Sequence, residues 1–465
     1  MPQCPINLTN ILMIDFNARI EDALALASDT KVFKFGENVL HLAPELFKTN
    51  FPDCKALIVA DKNTWRAAGE RVFNFMKEGG VECDSFIFEM DEFHADAVYS
   101  EEILQRMTEK NIIPVAVGSG VINDLCKLAA FKAEVPYMVI ATAASVDGYS
   151  SSGSAVTVDG AKVNIECHAP KVILADTIVL ASAPKEMTAA GYADLAAKIP
   201  AGGEWMIADL FGTEPINDDA WKILYEILPE MISDPEGIAS GDPGAIGVLF
   251  AGLTLSGIAM QVAHSSRPAS CAEHLYSHWL DMTGHTFRGK LQSHGFQVGV
   301  GTLTTCAFFD ELLKMDLTQL DVDSCVAEWP SLEDEQERAR LIFKDFPIPE
   351  LGYTEITKKY NDKETVRTQL TKIKNNWPEL RERLRKQVYS FDKMREMFRI
   401  AGAPTDPEDI GVTRSQMRYL TDFVQLMRWR INMLDLAKRG CFYDELVGKV
   451  FGEGGAWDVN KCGKQ

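Results

Sequence analysis

Three side chains far apart in the sequence could meet around one cation. Asp194 lies in Gly191-Tyr192-Ala193-Asp194, His274 opens His274-Leu275-Tyr276-Ser277-His278, and His294 opens His294-Gly295-Phe296. One carboxylate and two imidazoles make a three-ligand set that leaves a further position open, as a catalytic divalent cation requires. His274 and His278 are four residues apart, so on a helix both rings leave the same face. A single helical histidine is more often a core or surface group; the pair together with His294 and Asp194 favours a metal. The same donors suit Zn²⁺, Ni²⁺ or Fe²⁺, so the cation stays open.

A second signal lies upstream, in Gly118-Ser119-Gly120-Val121-Ile122-Asn123-Asp124. It falls between a strand pattern and a helix pattern. Glycines at such a turn let the backbone approach a diphosphate, and the helix start presents free N–H groups. It is not the Gly-x-Gly-x-x-Gly fingerprint, and alone it also suits a tight loop. Asp61 ends a strong strand pattern, where an acid can hold ribose hydroxyls and repel the extra phosphate of NADP, or can be an ordinary loop carboxylate. Thr142-Ala143-Ala144-Ser145-Val146-Asp147-Gly148-Tyr149-Ser150-Ser151 follows another strand pattern and reads as a ligand-lined loop or a polar turn. Arg267, in Ser265-Ser266-Arg267-Pro268, could grip a phosphate through two N–H groups or pair with a carboxylate. A nucleotide loop followed by a metal set points to redox chemistry.

The elements that must position these residues change character along the chain. Short apolar runs at 55–61, 84–89, 112–117, 137–141 and 171–175 alternate with helical patterns such as 67–77 and 100–110. That rhythm predicts a parallel sheet covered by helices. Asp159-Gly160 between 155–158 and 162–165 predicts a hairpin. Beyond Pro184 the patterns are mainly helical, at 221–233, 246–263, 275–282, 299–313, 365–388 and 414–438. The expected organisation is therefore an α/β nucleotide domain over 1–184 and an all-α metal domain over 185–465. The charged stretch 347–374, with Lys358-Lys359, reads as a solvated face, and the tail from Gly452 as loosely ordered.

At 465 residues the chain can bury large cores. With 47 basic and 67 acidic side chains its net charge is −20, which argues against nucleic acid or anionic membranes as partners. A small phosphorylated substrate is not excluded. Ten scattered cysteines without a Cys-x-x-Cys pair read as reduced thiols of a cytoplasmic protein. Met-Pro-Gln-Cys-Pro does not begin a signal peptide, and the uncharged run Gly244–Ala263 reads as a buried helix rather than a span.

At these residues the chain resembles the sn-glycerol-1-phosphate dehydrogenase family, within the superfamily of iron-containing alcohol dehydrogenases, glycerol dehydrogenase and dehydroquinate synthase. The matching segments are those quoted, with Ser265-Ser266-Arg267-Pro268-Ala269-Ser270, Glu273-His274 and Ala401-Gly402-Ala403-Pro404, in the family's order. The resemblance implies a Rossmann-like NAD(P) domain, an α-helical metal domain, and reversible reduction of dihydroxyacetone phosphate to sn-glycerol 1-phosphate in the cleft. It implies that Gly118, Ser119, Gly120, Val121, Ile122 and Asp124 serve the cofactor diphosphate, and that Thr142, Ser145 and Ser151 line the nicotinamide side. Asp61 would take the adenosine end, and Asp147, His278 and Arg267 the substrate. Asp194, His274 and His294 would bind the metal, usually Zn²⁺. The family also implies a homo-oligomer. Ala193 stands where the family usually has Gly, and His264 and Cys271 where smaller residues are common, so the substrate is less firmly implied than the reaction. A polyol or glycerol dehydrogenase, a dehydroquinate-synthase-like cyclase and a non-catalytic binding protein remain alternatives.

Overall fold

The computed structural model describes residues 18–90, 94–158 and 161–461. Eight strands belong to its first half: β1 (Val32–Gly36), β2 (Lys55–Asp61), β3 (Cys83–Phe88), β4 (Ile112–Gly118), β5 (Met138–Ala141), β6 (Ser154–Val158), β7 (Ala161–Ile165) and β8 (Val172–Asp176). Six form one sheet in the order β1-β8-β5-β4-β2-β3, with every pairing parallel. β5 and β8 are buried throughout and β2 and β4 along all but their ends, the pattern of a sheet covered on both faces. β1 was not legible because Val32-Phe33-Lys34-Phe35-Gly36 is short and carries a lysine. β6 and β7 pair as the expected antiparallel hairpin, while its Asp159-Gly160 turn lies outside the described residues.

Strand order places the loops. The chain runs outward from β2 to β3, then returns to the other side of β2 as β4. In such sheets ligands bind beyond the carboxyl ends of the strands where the order reverses. Val59 is level with Ala116, and Gly118 with Ala141. Asp61, Gly118 and Ala141 therefore end three adjacent strands in one row.

By its contacts the chain forms two units. The first holds the described residues up to Gly191 together with Asp218–Ser266; the second holds Tyr192–Asn217 and everything described from Arg267. This differs from a single cut after residue 184. The reason is hydrophobic: the uncharged helix Pro243–Ala263 packs within the first unit, 83% of its apolar window buried, around Asp147–Tyr149 and Thr177–Ala181. It is long and apolar enough to span a membrane but is a core helix here, as its sequence suggested.

The second unit is helical apart from a small hairpin, Thr286–Phe287 with Lys290–Leu291. Three sequence expectations change there. The 414–438 pattern is two helices, Arg414–Leu426 and Met433–Arg439, the latter started by an Asn432 cap. Lys359 is not solvated: it is buried, donating to Gln425 O at 2.6 Å and paired with Asp435 at 2.7 Å. The tail is anchored through Trp457, which is fully buried and donates from Nε1 to Thr304 Oγ1 at 3.0 Å; residues 462–465 lie outside the described set.

Removing that anchor leaves a cavity where the indole was; the Thr304 hydroxyl keeps its bond to Val300 O. Trp457→Ala is expected to destabilise the protein by about 3–5 kcal/mol, read from the midpoint of a denaturant titration.

Candidate metal centre and cofactor loop

Helix α1 (Gly120–Ala133) follows β4 through Ser119. Ser119 occupies the N-cap without capping through its side chain, which leaves its hydroxyl and the first-turn N–H groups for a ligand. Gly118 is required by packing, since a Cβ there would lie 2.5 Å from Ile122 Cβ. Val121 and Asp124 are half-buried and Ile122 is fully buried, so Ile122 supports the loop from the core. Asp61 uses Oδ1 as a helix cap, accepting from Asn63 N at 2.7 Å and Thr64 N at 3.0 Å.

Thr142 and Ser145 are buried after β5, and Thr142 N donates to Gly118 O at 3.1 Å, which ties the two loops together. Asp147 accepts from Ser256 Oγ at 2.9 Å. Ser151 is half-buried, its Oγ 3.4 Å from Gly148 O.

Helix α2 (Lys185–Ala196) carries Asp194. Earlier in α2, Gly191 lies so close to Ala144 that a Cβ would fall 1.9 Å from its carbonyl oxygen. Helix α3 (Lys198–Phe211) brings Lys198, and helices α4 (Ala272–Met282) and α5 (His294–Leu312) bring the imidazoles. α5 begins five residues before the pattern at Gly299 because Ser293 caps it, accepting from Phe296 N. His294 therefore sits in a first helical turn.

Asp194, His274 and His294 converge: one donor atom from each lies within 4.8 Å of the other two. His274 Nε2 is 3.6 Å from Asp194 Oδ1. Ligands at Zn–N and Zn–O distances of ~2.0–2.1 Å stand about 3.3 Å apart in a tetrahedron, a spacing that the His274–Asp194 pair already approaches. The ring tautomers agree. His274 Nδ1 lies 2.8 Å from Glu273 Oε1, which must be met by an N–H, leaving Nε2 unprotonated in the neutral ring. Ser277 Oγ gives its proton to Gln297 Oε1 at 2.7 Å, so it accepts from His294 Nδ1–H at 3.0 Å. Both histidines thus offer Nε2, with the opposite nitrogen tethered as in many metal sites.

His278 is half-buried beside the trio, its ring centre 6.5 Å from that of His274 and 6.4 Å from that of His294. It is close enough to serve a ligand and is not in the donor set.

The electrostatics favour an ionised carboxylate. Burial opposes the charge on Asp194, yet the Lys198 ammonium, its Nζ at 2.7 Å, holds the carboxyl well below the usual range. His274 titrates higher than usual: burial pulls it down, and the neighbouring Asp194 and Glu273 carboxylates, which favour a protonated ring, outweigh that. Behind it Glu204 is pushed up to about 7 by burial and then by the Glu273 charge. Glu204 is held by backbone N–H groups of Ala272 and Met433, both at 2.9 Å.

Arg267 is buried, donating to Ile431 O at 2.9 Å and lying 3.4 Å from Glu214. Arg430 joins it on Glu214 at 3.1 Å. The departures noted in sequence have distinct places. His264 ends its helix in the left-handed region at φ +47°, where glycine is usual, and Cys271 Sγ lies 3.1 Å from Arg267.

Comparison with known proteins agrees with this architecture. The family described as iron-containing alcohol dehydrogenase matches residues 34–184. A glycerol-1-phosphate dehydrogenase [NAD(P)+] of Bacillus subtilis is 33% identical over 56% of this chain and 67% of its own length. That of Pyrococcus horikoshii is 33% identical over 58% of this chain and 75% of its own. The chain belongs to the glycerol-1-phosphate dehydrogenase family. With the relative from Bacillus velezensis, also 33% identical, the match spans 65% of the relative's length. Among solved structures, a probable glycerol dehydrogenase from Sinorhizobium meliloti aligns over 90% of this chain and 97% of its own, with a TM-score of 0.58 and 14% identity. Glycerol dehydrogenase from Schizosaccharomyces pombe aligns over 91% and 90%, with a TM-score of 0.56 and 15% identity. These two share the fold.

Glu273, Ser277 and Gln297 escaped the sequence reading because ligand types announce themselves and their tethers do not. The one available signal was Glu273 immediately before His274. Glu273→Gln, which keeps the shape but weakens the acceptor, is expected to lower metal affinity about 10–100-fold without unfolding the protein, measured by titration of the chelated protein with Zn²⁺.

Proposed function

We propose that the chain is a metal-dependent oxidoreductase that reduces dihydroxyacetone phosphate to sn-glycerol 1-phosphate with NADH or NADPH, reversibly. The observation that carries the reading is the convergence of Asp194, His274 and His294 with both rings tethered to present Nε2. The relatives' name, glycerol-1-phosphate dehydrogenase [NAD(P)+], supports the substrate and the cofactor class.

When bound, the nicotinamide supplies a hydride and the divalent cation supplies Lewis acidity, which together turn a ketone into a secondary alcohol. The protein's own groups do the rest. Ser119 and the first-turn N–H groups of α1 hold the diphosphate, and the buried loop at Thr142 and Ser145 shields the nicotinamide side from water. Asp61, its Oδ1 engaged as a cap, presents a negative charge to the adenosine ribose. Asp147 binds a substrate hydroxyl. His278 delivers the proton that the product oxygen takes up. Arg267 anchors the substrate phosphate. Arg267 and Arg430 share the Glu214 carboxylate, which leaves the pair net positive and suited to an anion. Arg430 is pushed down to about 10, by burial first and Arg428 second, and is still charged at neutral pH.

The cation is read as Zn²⁺, with Ni²⁺ or Fe²⁺ accepted by the same donors. The protein is read as a cytoplasmic homo-oligomer acting on a small molecule, without nucleic acid or membrane partners. Eight described cysteines are free thiols, which suits a reducing compartment.

The test is NADH and NADPH oxidation with dihydroxyacetone phosphate, before and after chelation, with the chirality of the product determined. Turnover that chelation abolishes and added metal restores, giving the sn-1 product, is expected. Asp194→Ala should lose the metal and at least about 10³-fold in kcat while remaining folded. Turnover of glycerol but not of its phosphate, or full activity in the metal-free protein, would overturn the reading.

A further inference from the structure

Lys127 lies in α1, seven residues or about 10 Å along the axis from the helix start. Its side chain is completely buried. Lysine is almost never buried so fully unless its charge is met. Here it is met by one short loop: Nζ donates to Gly148 O at 2.8 Å, Ser151 O at 3.0 Å and Gly153 O at 2.8 Å. An ammonium has three donors, and all three are used on three carbonyls within six residues. Asp124, one turn earlier, stands 3.8 Å from the ammonium and supplies the countercharge.

The same carbonyl of Gly148 also accepts from Asn123 Nδ2 at 3.2 Å, and Asn123 Oδ1 accepts from the buried Tyr137 hydroxyl at 3.0 Å. The loop is gripped on a second side by the helix Pro243–Ala263, through Ser256 on Asp147 and Gln261 Nε2 on Ser150 O at 2.6 Å. An apolar side chain in place of the ammonium would take a donor from each of three carbonyls, those of Gly148, Ser151 and Gly153.

We propose that Lys127 is a positioning residue for the cofactor: it fixes the loop Asp147–Gly153 to the helix whose N-terminus takes the diphosphate, so the diphosphate and the nicotinamide side of one dinucleotide are received by a single rigid element. This rests on the reading of the first unit as the NAD(P) unit. The ammonium does not touch the cofactor; it sets the loop that does.

Cofactor binding is measured by quenching of intrinsic fluorescence with NADH and NADPH, and metal binding by Zn²⁺ titration, for the wild-type holoenzyme and Lys127→Met. The expected result is a Kd and KM for the cofactor raised about tenfold or more, with one metal per chain bound at unchanged affinity. Lower thermal stability with unchanged cofactor Kd and KM in the folded variant would reduce Lys127 to a packing role and overturn the inference. If Lys127→Met does not fold, Asn123→Ala, which removes one donor to Gly148 O, should raise the cofactor Kd severalfold; no change would overturn the inference. A wild-type protein that binds neither NADH nor NADPH would overturn the reading of the first unit and the inference with it, whereas binding unaffected in the variants would overturn the inference alone.

Discussion

A carboxylate with no access to water governs the second unit. Asp194 is wholly buried, and an isolated charge in such a place would be protonated or would unfold its surroundings. It is kept ionised by Lys198 and faces two imidazoles whose outer nitrogens are tethered. α3 is placed to deliver the ammonium, α4 and α5 to deliver the rings. Glu273, Ser277 and Gln297 then leave each imidazole one orientation. The arrangement is costly for a protein that only needs a core, since apolar residues of similar volume would fill the space without such compensation. It is reasonable for one that needs a preorganised set of donors.

The first unit solves a different problem with the same means. Parallel strands end in one row at Asp61, Gly118 and Ala141, and the loops leaving them must stay open to a ligand while keeping defined shapes. Backbone groups in these loops are answered by side chains arriving from helices, among them Lys127 and Gln261. The helix Pro243–Ala263, late in the sequence, is recruited to this unit because its apolar surface and its few polar groups both find partners there.

How much of this could be read from residues alone depends on where the information resides. The sheet was legible because buried strands such as Leu57-Ile58-Val59-Ala60 are continuous apolar runs between turn residues. Asp194, His274 and His294, which converge, could be singled out because their residue types suit a cation. The break at 427–432 was hidden, since a helical period continues through it and only Asn432 marks the new start. Lys359 and Trp457 misled for the converse reason: charge and a glycine-rich neighbourhood suggest solvent, whereas Asp435 and Thr304, distant in sequence, supply their partners. The same holds for Ser277 with Gln297 and for Arg267 with Ile431. Pairings across such separations depend on the fold and leave no local pattern.

The claim on which the account turns is that Asp194, His274 and His294 hold one cation. X-ray absorption at the metal edge on the Zn²⁺-loaded protein, with anomalous diffraction from its crystals, tests this most directly. The account predicts a single ion per chain with two imidazole nitrogens at ~2.0–2.1 Å and a carboxylate oxygen at ~2.0–2.2 Å, located at these three side chains. An ion bound elsewhere, or thiolate sulfur in its coordination shell, would contradict it.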